Sequence, residues 1–202
     1  MAPRTTEDRW QETHNRIMDS AERLFSTKGF NGTSMNEIVK ESGFSKGAIY
    51  GHFESKERLF LSLWERQTVL GIGQLRQMFS PDDKAVDKLL KVAEMTMVSS
   101  CDCPREVGRM QMEFMVAASR MDSLEPDMQK RYETIHMFIR EIFEEGVENG
   151  EFKEDLDSQA LTSILFASLD GLGLHYATLG IEFDAKRLQD TLMKVVLEGI
   201  LV

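Results

Sequence analysis

Apolar residues in this chain recur every three or four positions, and no stretch alternates apolar with polar over the length of a strand. The pattern predicts an all-α protein of about nine helices, with no internal repeat. The first helix runs from about Trp10 to Lys28 and gathers Ile17, Ala21, Leu24 and Phe25 on one face. It stops at Gly29, a residue suited to a left-handed helix end. Ser34 starts the second helix as an N-cap, and Glu37 completes a reciprocal capping box. Gly43 marks the turn out of it. Ser45 caps a short third helix ending near His52, and Ser55 caps a fourth whose Leu59, Phe60, Leu63 and Trp64 face a core. Five more follow at about 82–99, 104–120, 125–148, 158–179 and 185–201. Asp157 and Asp184 are the expected caps of the last two, with Leu156 stapling onto Leu161 and Phe183 onto Leu188. Pro81, Pro104 and Pro126 fall where new helices begin, the part of a helix that tolerates proline.

The second and third helices carry chemistry. Two short helices joined by a tight glycine-containing turn form a helix-turn-helix, whose second helix enters the major groove of DNA. The segments here are SMNEIVKES, the turn at Gly43-Phe44, and SKGAIYGHF. Ile38, Val39, Ile49 and Phe53 point to a core, which leaves Lys46, Gly47, Ala48, Tyr50 and His52 on the solvent or DNA side. Lys46 stands at a helix N-terminus, where the dipole disfavours a cation; a phosphate or guanine edge there reverses the balance. Gly47 costs about 1 kcal/mol relative to alanine inside a helix. Close approach to a DNA backbone accounts for that cost. Tyr50 and His52 have the chemistry to hydrogen-bond phosphates, and Ala48 is small enough to lie against a thymine methyl.

The stretch RIMDSAERLFSTKGFNGTSMNEIVKESGFSKGAIYGHFESKERLF resembles the N-terminal domain of the TetR (tetracycline-repressor) family. The matching elements are A-x-x-L-F and K-G-F in the first helix, T-S before the second, and S-K-G-x-I-Y-x-H-F-x-S-K-E-x-L-F. LDGLGLHYATLG and the final apolar helix are similar to the family more loosely. The resemblance implies that Ser45, Lys46, Gly47, Ala48, Tyr50 and His52 contact DNA, with Thr33, Ser34 and Lys56 holding phosphates. Gly51 departs from the pattern, because many relatives carry a larger His or Tyr there. Residues 1–54 are accordingly expected to be a helix-turn-helix DNA-binding domain, and 55–202 a helical effector-binding and dimerisation domain.

Charge does not reveal the DNA-binding segment. Residues 1–66 hold ten basic and ten acidic side chains, so the formal net charge of −10 lies entirely in the rest of the chain. The most apolar stretch, Ser158 to Ile181, contains Gln159, Asp170 and His175, which argues against a membrane span. The N-terminus lacks the apolar core of a secretion signal, so a cytoplasmic location is expected. Cys101 and Cys103, two residues apart, cannot supply a disulfide framework and have no further ligands at metal-site spacing. No phosphate-binding loop, nucleophile elbow or His-Glu-x-x-His signature is present, and neither enzymatic activity, a cofactor nor a metal is expected.

A single helix-turn-helix contacts few base pairs, so a homodimer on a near-palindromic double-stranded operator is expected. The candidate interface is Leu161, Leu165, Ala167, Leu169, Gly171, Leu172 and Tyr176 with Leu188, Leu192 and Val195. Seven of the thirteen methionines lie in the central helices, Met97 among them, and methionine adapts to varied apolar shapes. Met95, Met112, Met115, Phe114, Phe138, Phe166 and His136 are candidate linings of a pocket for a small, largely apolar effector. The expected function is a transcriptional repressor released by that effector. An activator of the same fold, or a helical adaptor whose helix-turn-helix no longer reads DNA, are the alternatives.

Overall fold

The computed structural model describes residues 5–101, 105–179 and 184–202; the side chains of Met97, Cys101 and Leu169, and the whole of Cys103, Pro104 and Phe183, lie outside the described residues. Among them are nine α-helices: α1 (Thr6–Lys28), α2 (Met35–Ser42), α3 (Lys46–His52), α4 (Lys56–Met78), α5 (Ala85–Cys101), α6 (Arg105–Ala118), α7 (Glu125–Glu148), α8 (Ser158–Leu179) and α9 (Ala185–Ile200). The all-α expectation is met. Two boundaries differ from it for identifiable reasons. α1 starts about one turn before Trp10, because Thr5 and Asp8 form a reciprocal capping box ahead of the first apolar residue. α5 starts at Ala85, where the Glu151 carboxylate accepts from the backbone N–H groups of Ala85 (3.2 Å) and Val86 (3.4 Å). That cap arrives from a residue distant in sequence.

Two compact units make up the chain. One comprises Met1–Gln67 and Arg109–Met128, the other Thr68–Gly108 and Gln129–Val202. Packing thus does not follow the 54/55 boundary: the first part of α4 and the larger part of α6 belong with α1–α3. In the first unit, α1 packs on α2 and α2 on α3. Ile17, Ala21, Phe25, Ile38, Ile49, Phe53, Leu59 and Phe60 form its core. Arg66 of α4 donates to Asp19 (2.8 Å) and Glu22 (2.9 Å) of α1. α6 contributes Phe114, fully buried against Phe60 at 4.5 Å between ring centroids and against Phe30 at 5.5 Å. One residue earlier, the Glu113 carboxylate accepts the backbone N–H of Asn31 at 3.0 Å. Arg58 is paired with Asp127 and donates to the Ser123 carbonyl, tying α4 to the start of α7.

In the second unit α5 packs on α8 and α9. Leu75, Leu89, Val92, Phe138, Ile142, Phe143, Phe152, Met193 and Ile200 are buried there. Asp157 and Asp184 cap α8 and α9 by accepting from Ala160 N–H (2.8 Å) and Arg187 N–H (3.0 Å). Among the described residues, no helix is long and apolar enough to cross a membrane.

Candidate nucleic-acid interface

The approach to α2 is fixed by backbone and caps. A Cβ added at Gly32 would lie 2.2 Å from the Lys28 carbonyl oxygen, so the loop after α1 closes only with glycine there. Ser34 and Glu37 cap each other as expected, the Ser34 N–H and hydroxyl both donating to the carboxylate (2.9 and 2.8 Å). Lys28 adds an ion pair at 2.7 Å, and these partners hold the Glu37 carboxyl at about 2. Gly43 follows α2 with φ +72°, a left-handed conformation that turns the chain into α3 at little cost to glycine. Ser45 then caps α3, accepting the Ala48 N–H at 3.2 Å.

α3 is seated by Ile49 and Phe53, both buried. Its outer side carries Lys46, Gly47, Tyr50 and Gly51, all exposed, with Ala48 half-buried beside them. The Lys46 ammonium stands 5.6 Å from the centre of the Tyr50 ring, so cation and phenol share one edge of the helix. A Cβ added at Gly47 or Gly51 would meet nothing within 4 Å, so neither glycine is required by packing within the protein. The Ser45 hydroxyl spends its oxygen on the cap and keeps its proton to donate outward.

Three sequence-expected DNA contacts are placed differently. Thr33 is 2% exposed, and its hydroxyl donates to the Gly29 carbonyl at 2.8 Å, so it braces the loop instead of facing a phosphate. Lys56 donates to the Phe30 carbonyl at 2.8 Å with its ammonium 4.3 Å from that ring's centre, which commits it to the fold. His52 turns to α1: its ring lies 4.7 Å from Trp10 and 5.6 Å from His14. The Nδ1 atoms of both histidines are buried without a hydrogen-bond partner. Burial pushes both below the ordinary imidazole value, and for His14 the charges of His52 and Arg66 push the same way. Ser34 remains exposed at the start of α2, although its hydroxyl is engaged with Glu37.

The expected effector residues are divided. Met112, Phe114 and Met115 belong to the first unit; Met95, His136, Phe138 and Phe166 belong to the second. Phe114 and Phe138 are core rings, Phe138 stacking on Phe79 at 6.1 Å, and a buried core ring does not line an open pocket. What the second unit does assemble is a ring cluster on α7 and α8. His136 lies 3.8 Å from Tyr132 and 4.8 Å from Phe166, and its buried Nε2 has no hydrogen-bond partner. Asp170 follows Phe166 by one turn, its carboxyl raised by burial against the opposing charges of Arg131 and His136. Tyr132 was not singled out by the sequence, since an exposed tyrosine on an amphipathic helix carries no signal of its own.

The expected dimer residues also separate. Leu161, Leu165 and Leu192 are taken up by the second unit's own core. Gly171, Leu172, Tyr176 and Leu188 are half-buried. Ala167 and Val195 face outward, together with Ile164 and Leu174, which the periodicity did not distinguish.

Residues 17–63 match the family model for bacterial regulatory proteins of the tetR family, and residues 87–201 match that for the BetI-type transcriptional repressor C-terminal region. The chain belongs to the TetR family. It is 27% identical over 159 residues to the HTH-type transcriptional regulator YfiR of Bacillus subtilis, covering 76% of this chain and 74% of that protein. The fold matches the transcriptional regulator FadR of Bacillus subtilis in complex with stearoyl-CoA, with TM-score 0.75 and 19% identity over 92% of this chain and 98% of that one. It also matches a regulator from Saccharomonospora viridis in complex with choline, with TM-score 0.76 and 21% identity over 95% and 99% of the two chains. This TetR-family chain is therefore a transcriptional regulator with a helix-turn-helix DNA-binding segment.

Proposed function

We propose that this TetR-family chain is a homodimeric repressor that binds a near-palindromic operator and releases it when a small, largely apolar effector binds. The observation that carries the reading is the outer side of α3. Lys46, Tyr50 and the two glycines form a shallow edge with a cation at its start and no bulky obstruction. A shape of that kind admits close approach to base edges and phosphates. Ser45, Lys46, Gly47, Ala48 and Tyr50 are the proposed contacts, with Ser34 at the head of the supporting helix.

The outward apolar residues of α8 and α9 support a dimer. Ile164 is 58% and Val195 64% exposed in the single chain, an arrangement that a second copy would cover. The cluster of Tyr132, His136, Phe166 and Asp170 supports an effector site, because apolar ring faces with few polar groups suit a small organic ligand. That two relatives in fold are in complex with stearoyl-CoA and with choline agrees with a small-molecule effector for this chain. α4 runs from the first unit into the second and is the proposed lever. A coupling of about 1–3 kcal/mol would change DNA affinity about 5–150-fold.

Transcription in a purified system from a promoter carrying the protein's own site tests the reading. Output should fall when the protein is added and recover with effector. A rise on addition of the protein contradicts repression.

A further inference from the structure

The first turns of α1, Thr6–Arg16, precede the family-matched segment that begins at Ile17. They nevertheless lie along the recognition helix. At one end Trp10 packs on His52, the last residue of α3, with ring centroids 4.7 Å apart. His14 stacks on Trp10 at 4.8 Å and on Phe53 at 4.4 Å. At the other end the Arg16 guanidinium lies over the ring of Phe44, 4.8 Å from its centre, immediately before the Ser45 cap. Residues 10–16 therefore run beside residues 44–53 in the opposite direction.

This placement gives α1 a second edge. Arg9, Thr13 and Arg16 recur at i, i+4 and i+7 and so form one ridge, flanking the face that holds Trp10 and Ile17. Both arginines are exposed, and Trp10 is 44% exposed although its ring touches two histidines. Asp8 is occupied by the Thr5 cap. Glu12 stands one turn from each arginine along the helix, three residues after Arg9 and four before Arg16. A ridge on the helix that runs beside α3, presenting two exposed guanidinium groups, fits one occupant, the phosphate backbone beside the bases that α3 reads.

We propose that Arg9 and Arg16 grip phosphates flanking the half-site, so that the start of α1 is a second DNA-contacting element held in register by the Trp10–His14–His52 stack. The inference rests on α3 being the recognition helix. It is tested with the full chain and a duplex selected by the wild type, measuring affinity against salt for Arg9→Ala, Arg16→Gln, Glu12→Gln and, as reference, Lys46→Ala. Each neutralised phosphate contact lowers the salt slope by about 0.9. Arg9→Ala and Arg16→Gln should each show that loss, on selected and random duplexes alike, with helical content and melting temperature held for Arg9→Ala. Glu12→Gln should tighten binding, because a carboxylate is removed from beside phosphate. Unchanged slopes for both arginine variants, with the slope reduced in Lys46→Ala, overturn the proposal and leave the recognition helix standing. Unchanged slopes in all three overturn both.

Discussion

Lys46 and Thr33 show what a residue's type reveals and what it conceals. A lysine at the dipole-disfavoured end of a short helix invites an external anion, and the structure leaves Lys46 exposed on the edge it shares with Tyr50. A threonine before a capped helix has the same hydrogen-bonding chemistry in either role, and only burial shows that Thr33 holds the Gly29 carbonyl. Thr33→Val should cost about 1 kcal/mol of stability by chemical denaturation while leaving the salt dependence of DNA binding unchanged. Loss of a salt-slope increment in that variant would restore Thr33 to the DNA surface. His52 carries a different consequence. With His14 it is held below the ordinary imidazole value in the folded chain, so the unfolded chain binds protons more readily as pH falls. The stability contributed by the neutral pair is therefore full above about 6.5, the ordinary histidine value, and is lost as pH drops through the lower folded values. Melting temperature should fall between pH 7.5 and 5.5, and less steeply in His52→Phe. An equal fall in both would remove His52 from the account.

Most elements could be read from the sequence because their ends are written locally. Ser34 with Glu37, Gly43, Ser45, Asp157 and Asp184 all act where their spacing places them. The start of α1 was hidden because Thr6–Arg9 contains no apolar residue, although the Thr5–Asp8 cap was present in the sequence. The start of α5 depends on Glu151, which no local pattern connects to Ala85. Membership of a core is a third kind of information. α6 has an amphipathic pattern that fits either unit, and the packing of Phe114 on Phe60 and Phe30, with the Glu113 bond to Asn31, is what assigns most of it to the first. Phe114→Ala should destabilise that unit by about 3–5 kcal/mol, following the cost of truncating a buried aromatic. DNA binding should weaken with it, although the substitution lies far along the chain from α3. Retained stability in denaturant titration would show that α6 is not part of this core.

At the scale of the molecule, family and fold are given by the matched segments at 17–63 and 87–201. The apolar periodicity of α8 and α9 predicted one interface from Leu161, Leu165, Leu192 and Val195 among others, but Leu161, Leu165 and Leu192 pack inward while Val195 faces outward with Ile164, which was not among them. Ile164→Glu with Val195→Glu should shift sedimentation from dimer to monomer with little change in helical content, and operator affinity should drop at least tenfold. A double variant that still sediments as a dimer would place the interface elsewhere. The central claim, that two copies of α3 read DNA as a symmetric pair, is tested most directly by selecting bound duplexes from random DNA with the purified chain. The account predicts a near-palindromic site whose half-sites are separated by about one helical turn, or a multiple of it. Recovery of no enriched sequence, or of a single half-site without a symmetric partner, would contradict it.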